Sequence, residues 1–258
     1  MKATFILLVL LAASTSSSFS QNRSRFYHII KRSMIESGYL SLVYKDTSGS
    51  IGNVSLCSER RRAIITLERG VPVLDFWQIV DNDYVDSASC LSKETQLGRF
   101  EIDLSRPTVG HPTRFVVVPF RAWTWGVGTT PFRYRPKADS SFATISTSLG
   151  VSINFGRTFG WSTISPRTIN NFSITLGPFV GISSVDLKRS TVKKPHEWQQ
   201  DRTNVAVSYG LNASFARNNF GVVLSIGLDN NFGEDSNEWS YQNRPWFGIG
   251  VNTGLGIF

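Results

Sequence analysis

Cysteine is nearly absent from this chain, with Cys57 and Cys90 the only two in 258 residues. That scarcity excludes a disulfide-rich scaffold, and with histidine limited to His28, His111 and His196 there is no dense Cys/His grouping for a structural metal site. None of the three histidines has a partner spacing that suggests a nucleophile and its base. A phosphate-cradling glycine loop is missing too, because the glycines recur at every second position, as strand glycines do. No cofactor is expected. The apolar run Phe5 to Ala13 (FILLVLLAA) is far shorter than the roughly twenty residues a membrane-crossing helix needs.

What that run does resemble is the apolar core of a secretory signal. Lys2 precedes it, and STSSSFSQ follows with a small-x-small pattern at Ser18-Phe19-Ser20. Residues 1–20 therefore read as a cleaved export signal, and no Cys follows the run to carry a lipid. An exported chain meets oxidising conditions, so Cys57 and Cys90 are either a disulfide or two small buried apolar residues. The net charge is +8, with one basic run at Arg60, Arg61 and Arg62 and a second cluster at Lys188, Arg189, Lys193 and Lys194. On an exported protein such loops suit anionic lipid headgroups. Nucleic acid is not an expected partner, since the basic residues lack interleaved aromatics.

Residues 21–112 have an ordinary, charge-sprinkled texture and read as a small mixed α/β region. Arg25 to Ser37 sets Phe26, Ile29, Ile30 and Met34 on one helical face, and strand-like pieces follow at 38–45, 52–58 and 63–68.

After His111 the texture changes. Six segments alternate apolar and small residues, within 120–135, 143–156, 172–183, 205–216, 220–228 and 247–257. Period two places successive side chains on opposite faces of a strand. The last five segments hold 58 residues without one Asp, Glu, Lys or Arg, although the chain average is 18% charged. A half-buried strand in water normally carries charge on its wet face. Here that face is Gly, Ser, Thr, Asn and Ala, which suits a narrow barrel interior, with the aliphatic face meeting hydrocarbon. The links alternate in length as well. Asn218-Asn219 is tight, whereas 188–204 and 229–245 are long and polar; RTFGWSTISPRTIN at 157–170 breaks the rhythm where a short turn is expected. Trp161, Tyr241 and Trp246 fall near proposed strand ends and read as aromatic anchors at the lipid interface.

The export signal, the Gly-rich alternating strands, TTPFRYRPK with GPFVGISSVDL, and a terminal Phe258 together resemble outer-membrane β-barrel proteins of Gram-negative bacteria, Bacteroidetes-type members in particular, over residues 113–258. The resemblance implies a mostly all-β chain whose C-terminal part is an antiparallel transmembrane β-barrel. It also implies contact with outer-membrane lipid and with the barrel-assembly machinery, for which Phe258 would be the signal. One departure stands out: Phe258 is in phase with Gly248, Gly250, Gly254 and Gly256, so a bulge must shift the strand or the signal is imperfect. Six strands make a narrow barrel, so about eight are expected, the added pair being Arg99–Ser105 and Thr113–Pro119. The expected role is structural or interactive, through binding of an envelope protein or lipopolysaccharide. The alternatives are a small-molecule or hydrophobic-ligand channel, and a lipid-modifying enzyme using His111 or His196.

Overall fold

The computed structural model describes residues 26–45, 51–53, 56, 59–76, 99–105, 115–138, 142–148, 150–233 and 235–257. The predicted export signal, Cys57, Cys90, His111 and Phe258 lie outside the described residues. Thirteen strands among those described join one sheet. The remaining regular elements are a five-residue helix, α1 (Arg32–Glu36), and a 3-10 turn at Ser236–Glu238. The chain divides into two compact units. The first comprises residues 1–122 and 159–172, the second residues 123–158 and 173–258.

In the first unit, β1 (His28–Lys31), β4 (Arg60–Glu68), β5 (Val71–Phe76), β6 (Arg99–Ile102), β2 (Leu42–Lys45) and β3 (Ile51–Asn53) are neighbours in that order. Alternate residues of β4 face a core built on Ile30, Leu42, Ile65, Leu74, Phe100 and Ile102. Arg69 and Gly70 both take positive φ between β4 and β5, the backbone that matches a two-residue turn to the strand twist. The helix expected over Arg25–Ser37 shrinks to α1, and its first part is β1 instead. Phe26, His28 and Ile30 are the buried positions, so period two prevails over the helical spacing once His28 and Ile30 find partners at Ala63 and Arg61 on β4.

The second unit takes its strands from β7 (Val116–Arg135), β9 (Gly150–Ile164), β10 (Ile169–Leu187), β11 (Arg202–Arg217), β12 (Phe220–Asn231) and β13 (Pro245–Ile257), with the short β8 (Thr144–Ser146) paired to β7. Each of the six long strands pairs with the next, and β13 then pairs with β7, so the pairing is cyclic. Five of the six alternating segments lie within single, longer strands, whereas 143–156 divides between β8 and the first half of β9. The anomalous link disappears for that reason: β9 runs to Ile164 and β10 starts at Ile169, leaving a tight turn in which the Ser165 amide donates to the Thr168 carbonyl at 3.0 Å. Asn218 and Asn219 make the other tight turn, between paired Arg217 and Phe220. The long links 136–149, 188–201 and 232–244 connect the opposite strand ends.

The expectation of about eight strands is corrected: thirteen strands among the described residues join the sheet, and the six long ones among them pair in a cycle. Arg99–Ser105 supplies β6, which lies between β5 and β2 in the first unit, and Thr113–Pro119 holds only the start of β7, a continuous strand of 20 residues.

The two faces of the cycle are inverted relative to a water-soluble sheet. Ile153, Leu176, Leu211, Leu224 and Ile249 are exposed by 55, 52, 61, 46 and 55%, while Asn154, Thr158, Ser173, Ser183, Ser208, Asn212 and Ser214 on the other face are buried. Hydroxyls on that face bond one another: Ser183 Oγ lies 2.9 Å from Ser208 Oγ, and Thr158 Oγ1 lies 2.6 Å and 2.7 Å from the half-buried Thr124 and Thr175 Oγ1. Satisfied polar groups of this kind cost little to bury.

Two irregularities set which residues face inward. Opposite Gly250, β7 carries two residues, Thr130 and Pro131, between the pairs Val251–Thr129 and Ile249–Phe132. The extra residue reverses the alternation. Gly128 and Thr130 are buried before the bulge, and Arg133 and Arg135 are buried after it, where unbroken alternation would have turned both guanidinium groups outward. A Cβ on Gly250 would fall 1.9 Å from the Thr129 carbonyl oxygen. Gly250→Val is therefore expected to destabilise the closing pair by about 3 kcal/mol, the upper end of an overpacking cost, read as a lowered urea midpoint. The second shift lies in β13 between Gly254 and Gly256, paired with Gly126 and Trp125.

Candidate functional site

The cycle's inner face carries three ionised side chains among the described residues, gathered near the strand ends that lead into the long links. Asp229 on β12 is wholly buried and receives Arg133 Nη1 at 3.1 and 3.2 Å on its two oxygens. Arg135 Nη2 donates to Oδ2 of the same carboxylate. Ser208 Oγ at 2.6 Å and Trp246 Nε1 at 2.9 Å complete the shell around Oδ1. Arg133 Nη1 also reaches Ser183 Oγ at 2.9 Å, and a Cβ on Gly150 would fall 2.8 Å from Arg133 Nη2. Gly150 is thus the residue whose missing side chain leaves room for the guanidinium.

Aromatic faces cover what the single carboxylate does not neutralise. The Arg133 guanidinium carbon lies 4.5 Å from the Trp246 ring centre, and that of Arg135 lies 5.4 Å from Trp239. Such stacking attracts a desolvated cation to the negative face of the ring. Trp239, Tyr241 and Val192 from the long links pack with Val185 and Leu187 of β10 and Ala206 of β11 in a small core. The Tyr241 hydroxyl donates to the Phe142 carbonyl.

This arrangement corrects two of the three aromatic anchors. Trp246 is fully buried and Tyr241 nearly so, because each has a polar atom to satisfy inside: the indole N–H on Asp229 and the phenol on Phe142. Trp161 is 44% exposed and stacks on Phe172 at 4.8 Å. Lys188, Arg189, Lys193 and Lys194 are exposed in the link after β10, where Lys188 pairs with Asp186 and Lys194 with Glu197. His196 is exposed in the same link. The alternating pattern does not single out Arg133, Arg135 and Asp229, although the sequence carries a signal for them: Arg-x-Arg at the end of one alternating segment and a lone acid directly after another.

A second buried polar group lies in the first unit. His28 Nε2 and Ser162 Oγ are 2.7 Å apart, and the Ser162 hydroxyl donates to Asn171 Oδ1. His28 is therefore the donor to Ser162, the reverse of what a serine nucleophile needs, and both residues are fully buried. Burial holds the His28 imidazole down at about 4 from its ordinary 6.5, against the opposing effect of backbone groups of Ala63 and Phe26. Among the described residues no cluster of three His, Cys, Asp or Glu side chains could hold a metal ion.

No protein-family model, curated protein or solved structure matches this chain.

Proposed function

We propose that the six-strand cycle is a β-barrel spanning a bilayer, of the outer-membrane type, and that the protein acts there as a structural or interaction module whose long links bind an envelope protein or lipopolysaccharide. The observation that carries this reading is the inversion of the faces: rows of Ile, Leu, Val and Phe exposed on one side, rows of Ser, Thr and Asn buried on the other. In water that arrangement wastes the hydrophobic effect, whereas in lipid it is the stable one, and a cyclic pairing leaves no strand edge unsatisfied. The buried Arg133, Asp229 and Trp246 fill the end near the long links, which favours a plugged interior over a pore. The exposed basic side chains at Lys188, Arg189, Lys193 and Lys194 suit the phosphates of lipopolysaccharide.

The test is extraction and folding. The chain is expected to need detergent for solubility and to migrate differently on gels before and after boiling. Leu224→Arg, midway along β12 on the exposed face, sharpens the test. A charge near the midplane costs about 2 to 4 kcal/mol in lipid, while a surface charge in water costs about 0.5 kcal/mol or less. A wild-type chain that stays soluble without detergent, or an L224R chain that folds as well as its parent, would defeat the proposal.

A further inference from the structure

The cluster beneath the long links holds two guanidinium groups and one carboxylate, all buried, and so carries an uncompensated positive charge. The Asp229 oxygens are already saturated by Arg133, Arg135, Ser208 and Trp246, so beyond the stacking of Trp246 and Trp239 no second anion offsets the extra cation. The same end of the second unit also concentrates polar atoms that are buried and find no hydrogen-bond partner among the described residues: Arg135 Nε, Ser148 Oγ, Trp198 Nε1, both amide atoms of Asn231, and Ser240 Oγ. Most of these are donors. Leaving a buried donor unpaired costs about 1 to 3 kcal/mol, more where the group is charged. An excess cation whose Nε is itself unpaired, on a strand end whose neighbouring links carry further spare N–H and O–H groups, is complementary to an anion with several acceptor oxygens.

We propose that the end of the second unit under the long links binds a phosphate-class oxyanion against Arg135, either free phosphate or the phosphate of a lipid headgroup. The site belongs to the interior of the second unit and does not depend on what surrounds its outer face. The boiled and unboiled gel migration of the same sample therefore reports on the membrane proposal separately.

The experiment uses the full chain, washed free of phosphate and chloride in a zwitterionic detergent. Inorganic phosphate is titrated at constant ionic strength, with chloride as the parallel anion. In a second arm the micelles are doped with phosphatidic acid or with phosphatidylcholine. The readouts are the intrinsic tryptophan emission, since Trp246 and Trp239 stack on Arg133 and Arg135, and the midpoint of thermal unfolding. A saturable emission change is expected with phosphate, together with a rise in the midpoint of roughly 5 °C at a hundredfold excess over the dissociation constant. A response confined to phosphatidic acid assigns the site to headgroups; a response to inorganic phosphate assigns it to the free anion. Arg135→Gln is expected to lose the response while Arg133 still holds Asp229. If that variant does not fold, Arg135→Lys keeps the charge without Nε and is expected to respond about tenfold more weakly. The proposal is overturned by a wild-type chain that responds to neither source, by an equal response to chloride, or by variants that respond as the wild type does.

Discussion

Replacing Asp229 with Ala is expected to lower stability by about 3 to 5 kcal/mol, because the change strands two buried guanidinium groups and leaves the Trp246 indole N–H without its acceptor. The size of the effect comes less from the lost attraction than from the two charges left uncompensated at side chains no more than 5% exposed. Asp229→Asn separates these contributions: it retains one acceptor oxygen and the side-chain volume, so it should fall between Ala and wild type. Equilibrium unfolding in urea, followed by the emission of Trp246 and Trp239, measures both. A loss under about 1 kcal/mol for Asp229→Ala would mean that the arginines find other partners or reach solvent, contrary to the geometry.

Acidification should weaken the first unit. His28 titrates near 6.5 when the chain is unfolded and near 4 when it is folded. Above pH 6.5 it is neutral in both states and contributes no pH dependence. As the pH falls from 6.5 towards 4, the unfolded chain takes up a proton that the buried ring refuses. Stability then declines by up to about 1.4 kcal/mol per pH unit and by about 3 kcal/mol in all. Below pH 4 the folded state also binds the proton and this slope disappears. Hydrogen exchange of the β1 and β4 amides, measured across pH 4 to 7 and corrected for intrinsic exchange, reports this directly. His28→Gln should flatten the dependence. If wild type and variant show the same slope, some other group is responsible.

The alternating segments were legible because each carries its information locally: a side chain every second residue and no charge between. The inner cluster was not legible, and the bulge at Thr130-Pro131 explains why. Arg133 and Arg135 lie in phase with Trp123, Trp125 and Val127 if the alternation is simply extended, so a reading by period places them outside. One inserted residue, visible only through the pairing with β13, brings them in. Trp246 and Tyr241 escape a reading as lipid anchors for a related reason. Proximity to a strand end does not distinguish a ring lying against lipid from one folded inward over an arginine; the hydrogen bonds of Trp246 and Tyr241 make that distinction. The segment around Ile30 is ambiguous because Phe26, Ile30 and Met34 fit both periods and Ile29 alone favours the helical one, so the availability of β4 as a partner chooses. The strand count failed because one strand of 20 residues contains what reads as two.

The pairing of β13 with β7 has a kinetic side. β11 and β12 are joined by two residues, and β9 and β10 by four, so each of these pairs can form early from neighbouring stretches of chain. Tyr134 meets Phe247 only after everything between them has been threaded into place. The entropy lost in bringing distant segments together must be met before that contact returns any energy, and such contacts govern how fast a chain reaches its native state. Folding should accordingly have its slowest step at this last seam, and substitutions along it should alter the rate of assembly more than those within either early hairpin.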